Sequence, residues 1–367
     1  MALPTYTVLL LNTPSGPSTD ITSTVQEFGV TRGIQMFSDS LRAGTGYVRG
    51  RRPDLLPTIE VGMGIKIEAE GVVVVNYRVA DFRTTFGTIA SLDEYEITLE
   101  DTLAALGRTT GSFVWSAGTT TGNAMDVVAT AAGLSVTLLG TFSKTCSAQV
   151  ITNENALEVF GRLLTQEQGF IANGVTYDEL YVWGSDFPSQ GTGVTIIDCS
   201  DDGTGTNPVK YDGFDLAGVA DNFANFIVVE PAGLSQSTAG TGKFSTTVQS
   251  YNQTTSAALN LANFLLGAYN QQDQGPQVLT ARYSANTSAA TVFNLLVAVG
   301  NNVTGARSQL QIKHRGTTYN GFVIGATVTG LLDDIIYTYY LATPTYFAQF
   351  ILNSSTYGVL NQNLLGF

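Results

Sequence analysis

The sequence predicts a mainly β protein with an α+β insertion, and three observations carry that prediction. Apolar and polar residues alternate within residues 61–99, for example at Ile65, Ile67 and Ala69, as in half-buried antiparallel strands. A fainter copy of the same meander occupies residues 299–341. Only 13% of the residues are charged, and Thr, Ser, Asn and Gly stand in their place. A repeat of this length predicts two related antiparallel β-domains in one chain.

The charge balance limits the classes of function. The net charge is −13, which argues against general nucleic-acid binding. The net charge is −4 over residues 1–108, −11 over 109–230 and +2 over 231–367, so we expect parts of an assembly to match head to tail. The composition fits a Thr- and Asn-rich β protein, and equally a protein whose surfaces are covered by neighbouring subunits.

The first β-domain is expected to span residues 1–110. It begins with a strand over residues 5–11 and continues through an ordering segment from residue 20 into a second strand. A loop rich in Gly and Arg follows over residues 42–52, and the repeated strands then run to Leu99. A short helical turn after Asp101 closes the domain.

An α+β insertion is expected over residues 111–190. It contains a helix over residues 123–132, a second over 154–166 with Asn153 as its cap, and a hairpin over 169–183.

Three further segments complete the predicted organisation. Residues 191–275 form an irregular linker and a helix-containing part packed on the second β-domain, with the helix at residues 254–269. Strands of the second domain occupy residues 276–345, and a strand-like tail occupies 346–367. If the repeat is real, Gly87 and Gly321 should occupy corresponding positions.

Residues suited to catalysis are scarce. The single histidine, His314, is predicted to be an exposed strand residue, so a histidine triad or a metal site with several histidines is not expected. Residues 240–243 resemble part of a phosphate loop but lack its first glycine and its Ser or Thr. Residues 198–203 resemble a calcium loop without its closing glutamate. We therefore predict no catalytic residue, no metal, no cofactor and no enzyme.

The remaining sequence features point to an ordinary cytoplasmic product. Cys146 and Cys199 are too few for a disulfide framework, and free thiols are favoured. The first residues lack the features of a signal peptide, and no apolar run is long enough to span a membrane, so no membrane anchor is expected. Arg49, Arg51 and Arg52 are predicted to contact acidic groups of a neighbouring subunit, rather than phosphates.

The order of the segments resembles one known family. It runs from residues 20–33 through 61–67 and 85–89 to the insertion at 124–133 and 152–183, then to 257–266 and the second β-domain. This order resembles that of the baseplate hub or tail-tip hub proteins of tailed bacteriophages, related to late control protein D. The closing residues 350–367 are similar to the ends of siphophage minor tail proteins.

The resemblance implies a fold and an assembly. Each subunit would supply two tail-tube-like antiparallel β-barrels, and a homotrimer would make a pseudo-sixfold ring at the end of the tail tube. Its partners would be the distal tail protein ring, the tape measure protein and the tail fibre or tip proteins, and DNA would only pass through the lumen. The protein would reside in the virion tail after assembly in the host cytoplasm. Because the chain ends soon after the second domain, an appended wall-degrading or receptor-binding domain is not expected.

Three alternatives stay open at this point. A hexameric distal tail protein would have one barrel per chain, and the repeat disfavours it. A glycan hydrolase would need a carboxylate pair in a cleft, which the sequence does not reveal. A carbohydrate-binding tail protein is favoured only by the 16 Tyr and 19 Phe residues.

Overall fold

The computed structural model describes residues 6–13, 16–33, 41, 43–69, 71–173, 176–184, 194–217, 223–269, 275–286, 288–298 and 307–342. The predicted tail, residues 346–367, lies outside them. The strands are β1 (Tyr6–Leu11), β2 (Ser18–Asp20), β3 (Val25–Gly33), β4 (Thr45–Arg51), β5 (Gly64–Ala69), β6 (Val72–Thr85), β7 (Glu94–Glu100), β8 (Thr110–Trp115), β9 (Ser135–Leu139), β10 (Gln149–Asn155), β11 (Phe170–Asn173), β12 (Glu179–Trp183), β13 (Val194–Ser200), β14 (Gly213–Ala217), β15 (Phe226–Pro231), β16 (Ser237–Gly240), β17 (Ser245–Ser250), β18 (Gly275–Arg282), β19 (Arg307–His314), β20 (Thr317–Gly330) and β21 (Ile335–Ala342). The helices are α1 (Leu103–Arg108), α2 (Thr121–Ala131), α3 (Ala156–Glu167), α4 (Thr255–Tyr269) and α5 (Ala289–Ala298). The predicted mainly β class is confirmed.

One 13-stranded sheet contains both predicted β-domains. Its first half has the order β2-β1-β5-β6-β7-β4-β3, and its second half contains β20, β21, β18 and β14, with β19 beside β20 and β13 beside β19. The alternation noted in the sequence sets the core face, since Ile65 and Ile67 are fully buried. Between them, Lys66 forms an ion pair with Glu68.

The predicted pair of closed barrels is wrong for the described residues. β20 is 14 residues long and extends past β19, and β3 pairs with that extension from Gly325 to Gly330. This pairing joins the two halves edge to edge. The sheet is open, because β2 and β14 each have one neighbour among the described strands.

The repeat is present as strand order. The series β5, β6, β7, β4, β3 of the first half matches β19, β20, β21, β18, β14 of the second. β6 and β20 are both 14 residues long. The register shifts once where β6 pairs with β7 and once where β20 pairs with β21. One row across the sheet fixes the equivalence: Phe82, Ile97, Val48 and Phe28 in the first half match Ala326, Tyr339, Leu279 and Phe214 in the second.

The expected correspondence of Gly87 with Gly321 is wrong. Gly321 lies inside β20 opposite Leu310, whereas Gly87 follows the end of β6. Tyr77, opposite Ile65, occupies the position equivalent to Gly321. The similar runs Thr84-Thr85-Phe86 and Thr317-Thr318-Tyr319 therefore fall at different ends of the matching strands, the first at the end of β6 and the second at the start of β20.

The insertion has its own core and its predicted helices. α2 and α3 pack with β8 and β10, and β11 pairs antiparallel with β12 as the predicted hairpin. The cap of α3 is Asn155 rather than Asn153, because the Asn155 side chain accepts from the N–H groups of Leu157 and Glu158. Asn153 instead has a φ of 58° beside an irregularity in β10.

The segment before the second set of repeated strands is more ordered than the sequence suggests. β13 and β14 join the large sheet, whereas β15, β16 and β17 form a separate sheet. α4 packs on that small sheet with its predicted apolar face, including Leu261 and Leu265. α5 lies in a region predicted as strand, and it packs against β19. Among the described residues, no helix is long and apolar enough to cross a membrane.

Candidate functional site

The candidate functional site consists of two open strand edges of the large sheet. The first is the end of β6. Residues 72–78 pair with β5 on one edge, and Val79 continues that edge by bonding Met63 and Gly62 through its N–H and C=O, both at 2.8 Å. Beyond Val79, no described strand pairs with this edge, and residues 81–85 are exposed or half-buried. The matching part of β20 is covered by β3 and is largely buried.

The second open edge belongs to β14. Its one neighbour among the described strands is β18, whereas its counterpart β3 has a strand on both sides. The side chains of β3, which has two neighbouring strands, are more buried than those of β14, which has one described neighbour. Phe28 is 0% exposed and Val30 is 2% exposed, but Phe214 is only partly buried and Leu216 is 37% exposed. Each half of the sheet is thus missing one neighbouring strand.

A row of alternating charges leads to the first edge. Arg49 on β4 lies between Glu27 on β3 and Glu96 on β7, at 2.9 and 2.6 Å, and its guanidinium lies 4.4 Å from the Tyr47 ring centroid. Hydrogen bonds to these two carboxylates raise the pKa of Arg49. Arg83 on β6 is the next residue in the row, opposite Glu96, and it is exposed.

The other two predicted interface arginines are also paired within the chain. Arg51 contacts Glu94 at 3.5 Å, and Arg52 holds both oxygens of Asp54 at 2.9 and 2.8 Å. The hydrogen bonds from Arg52 lower the pKa of Asp54. All three arginines keep about half of their side chains exposed (46–50%), so they remain available to a further partner. Their role at a subunit interface stays a prediction.

His314 is less exposed than predicted. It ends β19, and its Nδ1 lies 2.8 Å from the Tyr211 hydroxyl and 3.3 Å from an oxygen of Asp201. Its ring also contacts Phe214. Tyr211 and Asp201 belong to the irregular segment between β13 and β14, and Phe214 belongs to β14, so the strand pattern of β19 alone could not reveal these partners.

In the two loops that resemble ligand sites, polar groups form hydrogen bonds with other groups of the chain. The Asp202 carboxylate accepts from the Ser200 and Thr204 side chains, and these bonds lower its pKa to about 2. The described residues contain no group of three metal-binding side chains. The residues after Gly240 fold around the Asn225 side chain and lead into β17, whereas a phosphate loop leads into a helix.

Both cysteines are buried free thiols, as favoured from the sequence. Burial raises the pKa of Cys146 to about 12 and that of Cys199 further, so neither thiol is activated as a nucleophile.

Comparison with solved structures places the fold. No family model and no curated protein sequence matches the chain. The 43 kDa tail protein of prophage MuSo2 from Shewanella oneidensis matches with a TM-score of 0.63 and 12% identity, covering 93% of this chain and 99% of that one. The tail protein from Neisseria meningitidis MC58 matches with a TM-score of 0.60 and 14% identity, covering 93% and 98%.

A third similar structure comes from a secretion machine. It is the c3393 protein of E. coli, a component of the type VI secretion system described as structurally similar to bacteriophage T4 tail proteins. The TM-score is 0.54 at 12% identity, with 94% of this chain and 77% of that one covered. The chain therefore has, over nearly its whole length, the fold of these two tail proteins and of this secretion-system component.

Proposed function

We propose that the chain is the structural hub of a phage tail tip or baseplate. Three copies would form a pseudo-sixfold ring that closes or adapts the end of the tail tube, and the ring would pass DNA and the tape measure protein on infection. The observation that carries this proposal is the duplication: two halves with one strand order, joined edge to edge in one sheet. A chain with two equivalent units lets a threefold ring meet a sixfold tube without mismatched contacts.

The other tail proteins would be its partners, namely the distal tail ring, the tape measure protein and the tail fibre or tip proteins. The fold shared with the tail protein of prophage MuSo2 and with the tail protein from Neisseria meningitidis supports a place in the virion tail. We infer a structural rather than an enzymatic role, and the burial of both thiols and the internal hydrogen bonds of the acidic loop support this inference. The net charge of −13 suits a wall that DNA must pass without sticking.

Native mass spectrometry of the purified chain tests the proposal. The expected result is a trimer. A stable hexamer would contradict it and favour the hexameric distal tail protein, in which one unit per chain makes the sixfold ring. That second candidate is disfavoured by the second half of the sheet.

A further inference from the structure

We propose that the open edge of β6 in one copy pairs with β14 of the next copy, repeating between chains the joint that β20 and β3 make within one chain. This inference rests on the proposed function and names the surface through which its subunits meet. β20 shows how the equivalent edge is used, because β3 pairs with it antiparallel from Gly325 to Gly330. β6 offers the same edge with no described strand on it, and β14 is the counterpart of β3 with one side free.

The internal joint sets the register of the proposed one. In the chain, Gly330 lies opposite Phe28 and Val328 lies opposite Val30. Because Phe82 matches Ala326, residues 84 and 86 match 328 and 330. Because Phe28 matches Phe214, Val30 matches Leu216. The two pairs expected between copies are therefore Thr84 with Leu216 and Phe86 with Phe214.

The core-facing side of this joint is largely apolar. Phe86 is 79% exposed and Leu216 is 37% exposed in the single chain. Phe82 and Thr84 lie on one face of β6 and are half-buried, and Phe86, the first residue after β6, continues the alternation. A second copy would cover these side chains as β3 covers Val328, which is 1% exposed. A cross-strand aromatic pair such as Phe86 with Phe214 stabilises an antiparallel joint.

The outward side is complementary in charge. Arg83 ends the row of Glu27, Arg49 and Glu96, and it forms no ion pair with the described residues. In the register taken from the internal joint, Asp215 of the next copy lies opposite Thr85. It is therefore a diagonal neighbour of Arg83, on the same face of the sheet. Asp215 is exposed and likewise has no ion-pair partner among the residues described. Opposite charges at this diagonal favour the same register as the apolar face.

The proposed joint is a head-to-tail contact. The two surfaces differ, so each copy gives β14 to one neighbour and receives it from another. Head-to-tail contacts of this kind form closed rings when the rotation between copies closes. Three copies would then alternate internal and external joints around one pseudo-sixfold ring.

Disulfide trapping tests the joint. Antiparallel partners such as Thr84 and Leu216 come close enough for a disulfide, so T84C combined with L216C should form one between copies under oxidation. Non-reducing gels should show a ladder of covalent dimer and trimer with nothing larger. The native cysteines are buried and give little background. Each single variant, and L216C combined with D81C earlier on β6, should give no ladder.

The outcomes separate this joint from the proposed function. A trimer in native mass spectrometry without a disulfide ladder would overturn the joint and leave the trimer standing. A chain that stays monomeric at high concentration without a ladder would overturn both. A ladder that extends past trimer would support the joint and contradict the three-copy ring.

A charge swap provides a second, milder test. D215R should weaken the trimer several-fold, and R83D in the same chain should restore it. D126R, at an exposed acid on α2, changes the net charge equally and should leave the trimer unchanged. Equal weakening by D215R and D126R would contradict the proposed pairing.

Discussion

The ring of Phe28 on β3 lies directly over Gly330 on β20, where a Cβ atom at residue 330 would overlap the ring. The contact stands at the joint between the two halves of the sheet, and Phe28 is fully buried there. A residue without a side chain lets the two strands meet while the aromatic ring fills the space. The close packing at this end of the joint thus requires a residue without a side chain at position 330.

We expect G330A to destabilise the fold by about 1–3 kcal/mol, the usual cost of adding a methyl group to a packed core. Chemical denaturation of the two proteins measures the difference. G161A is the matched control. Gly161 lies inside α3, and a Cβ atom there would lie 3.7 Å from Leu41, which is an ordinary contact distance. Replacing that helical glycine with alanine should raise the free energy of unfolding by about 0.5–1 kcal/mol. If G330A is as stable as the natural chain, the joint is looser than the structure shows.

The cap of α3 distinguishes two asparagines. N155A should cost about 1 kcal/mol, because it removes the acceptor for the Leu157 and Glu158 N–H groups and the bond to the Gly107 carbonyl. N153G should be neutral or stabilising, because φ at this position is 58°, which glycine adopts freely. Thermal unfolding of both variants measures this. The reverse order of stability would restore Asn153 as the cap.

Alternating strands and helix faces could be predicted from the sequence, but strand partners could not. The pattern of Ile65 and Ile67 fixes which face is buried, and it carries no information on which edge meets which. The pairing of β20 with β3 joins residues about 300 positions apart, for example Thr31 with Thr327 through a 3.0 Å contact between hydroxyls. The sequence therefore indicated two sets of repeated strands, but it could not show that they join in one open sheet or that β13 and β14 belong to it.

Alkaline pH should weaken the fold. Burial raises the pKa of Tyr95 to about 12, whereas an unfolded tyrosine ionises near about 10. The unfolded chain then releases protons first, so stability is retained below pH 10 and falls as pH rises from about 10 to 12. Burial raises the pKa of Tyr339 as well.

Y95F tests whether Tyr95 causes this loss of stability at alkaline pH. The variant should be less stable at neutral pH, because it loses the 2.8 Å hydrogen bond with the Thr24 hydroxyl, and it should lose less stability on going to pH 11. Denaturant midpoints at several pH values measure both effects. An unchanged slope would show that Tyr95 does not contribute to the alkaline loss.

The candidate site was predictable only in part. The three arginines stand out in the sequence as a cluster, but their internal partners Glu27, Glu96 and Glu94 come from strands that the sequence does not pair. The open edge of β6 leaves no mark in the sequence of residues 81–85, because exposed strand ends read alike whether or not a neighbour covers them. Only the comparison of the two halves reveals the edge.

Replacing Arg49, Arg51 and Arg52 together with Ser should impair tail assembly and leave the isolated fold intact. The fold should survive because exposed ion pairs contribute little to stability. Assembly should suffer because Glu27, Glu96, Glu94 and Asp54 would lose the cations that now hold them. A neighbouring surface that meets this face would then meet uncompensated acids.

The control variant changes Lys144, Lys210 and Lys243 to Ser. It removes equal charge elsewhere and should assemble normally. Copurification with tail partners measures assembly, and thermal unfolding checks the fold. Normal assembly of the arginine variant would show that this cluster takes no part in contacts between subunits.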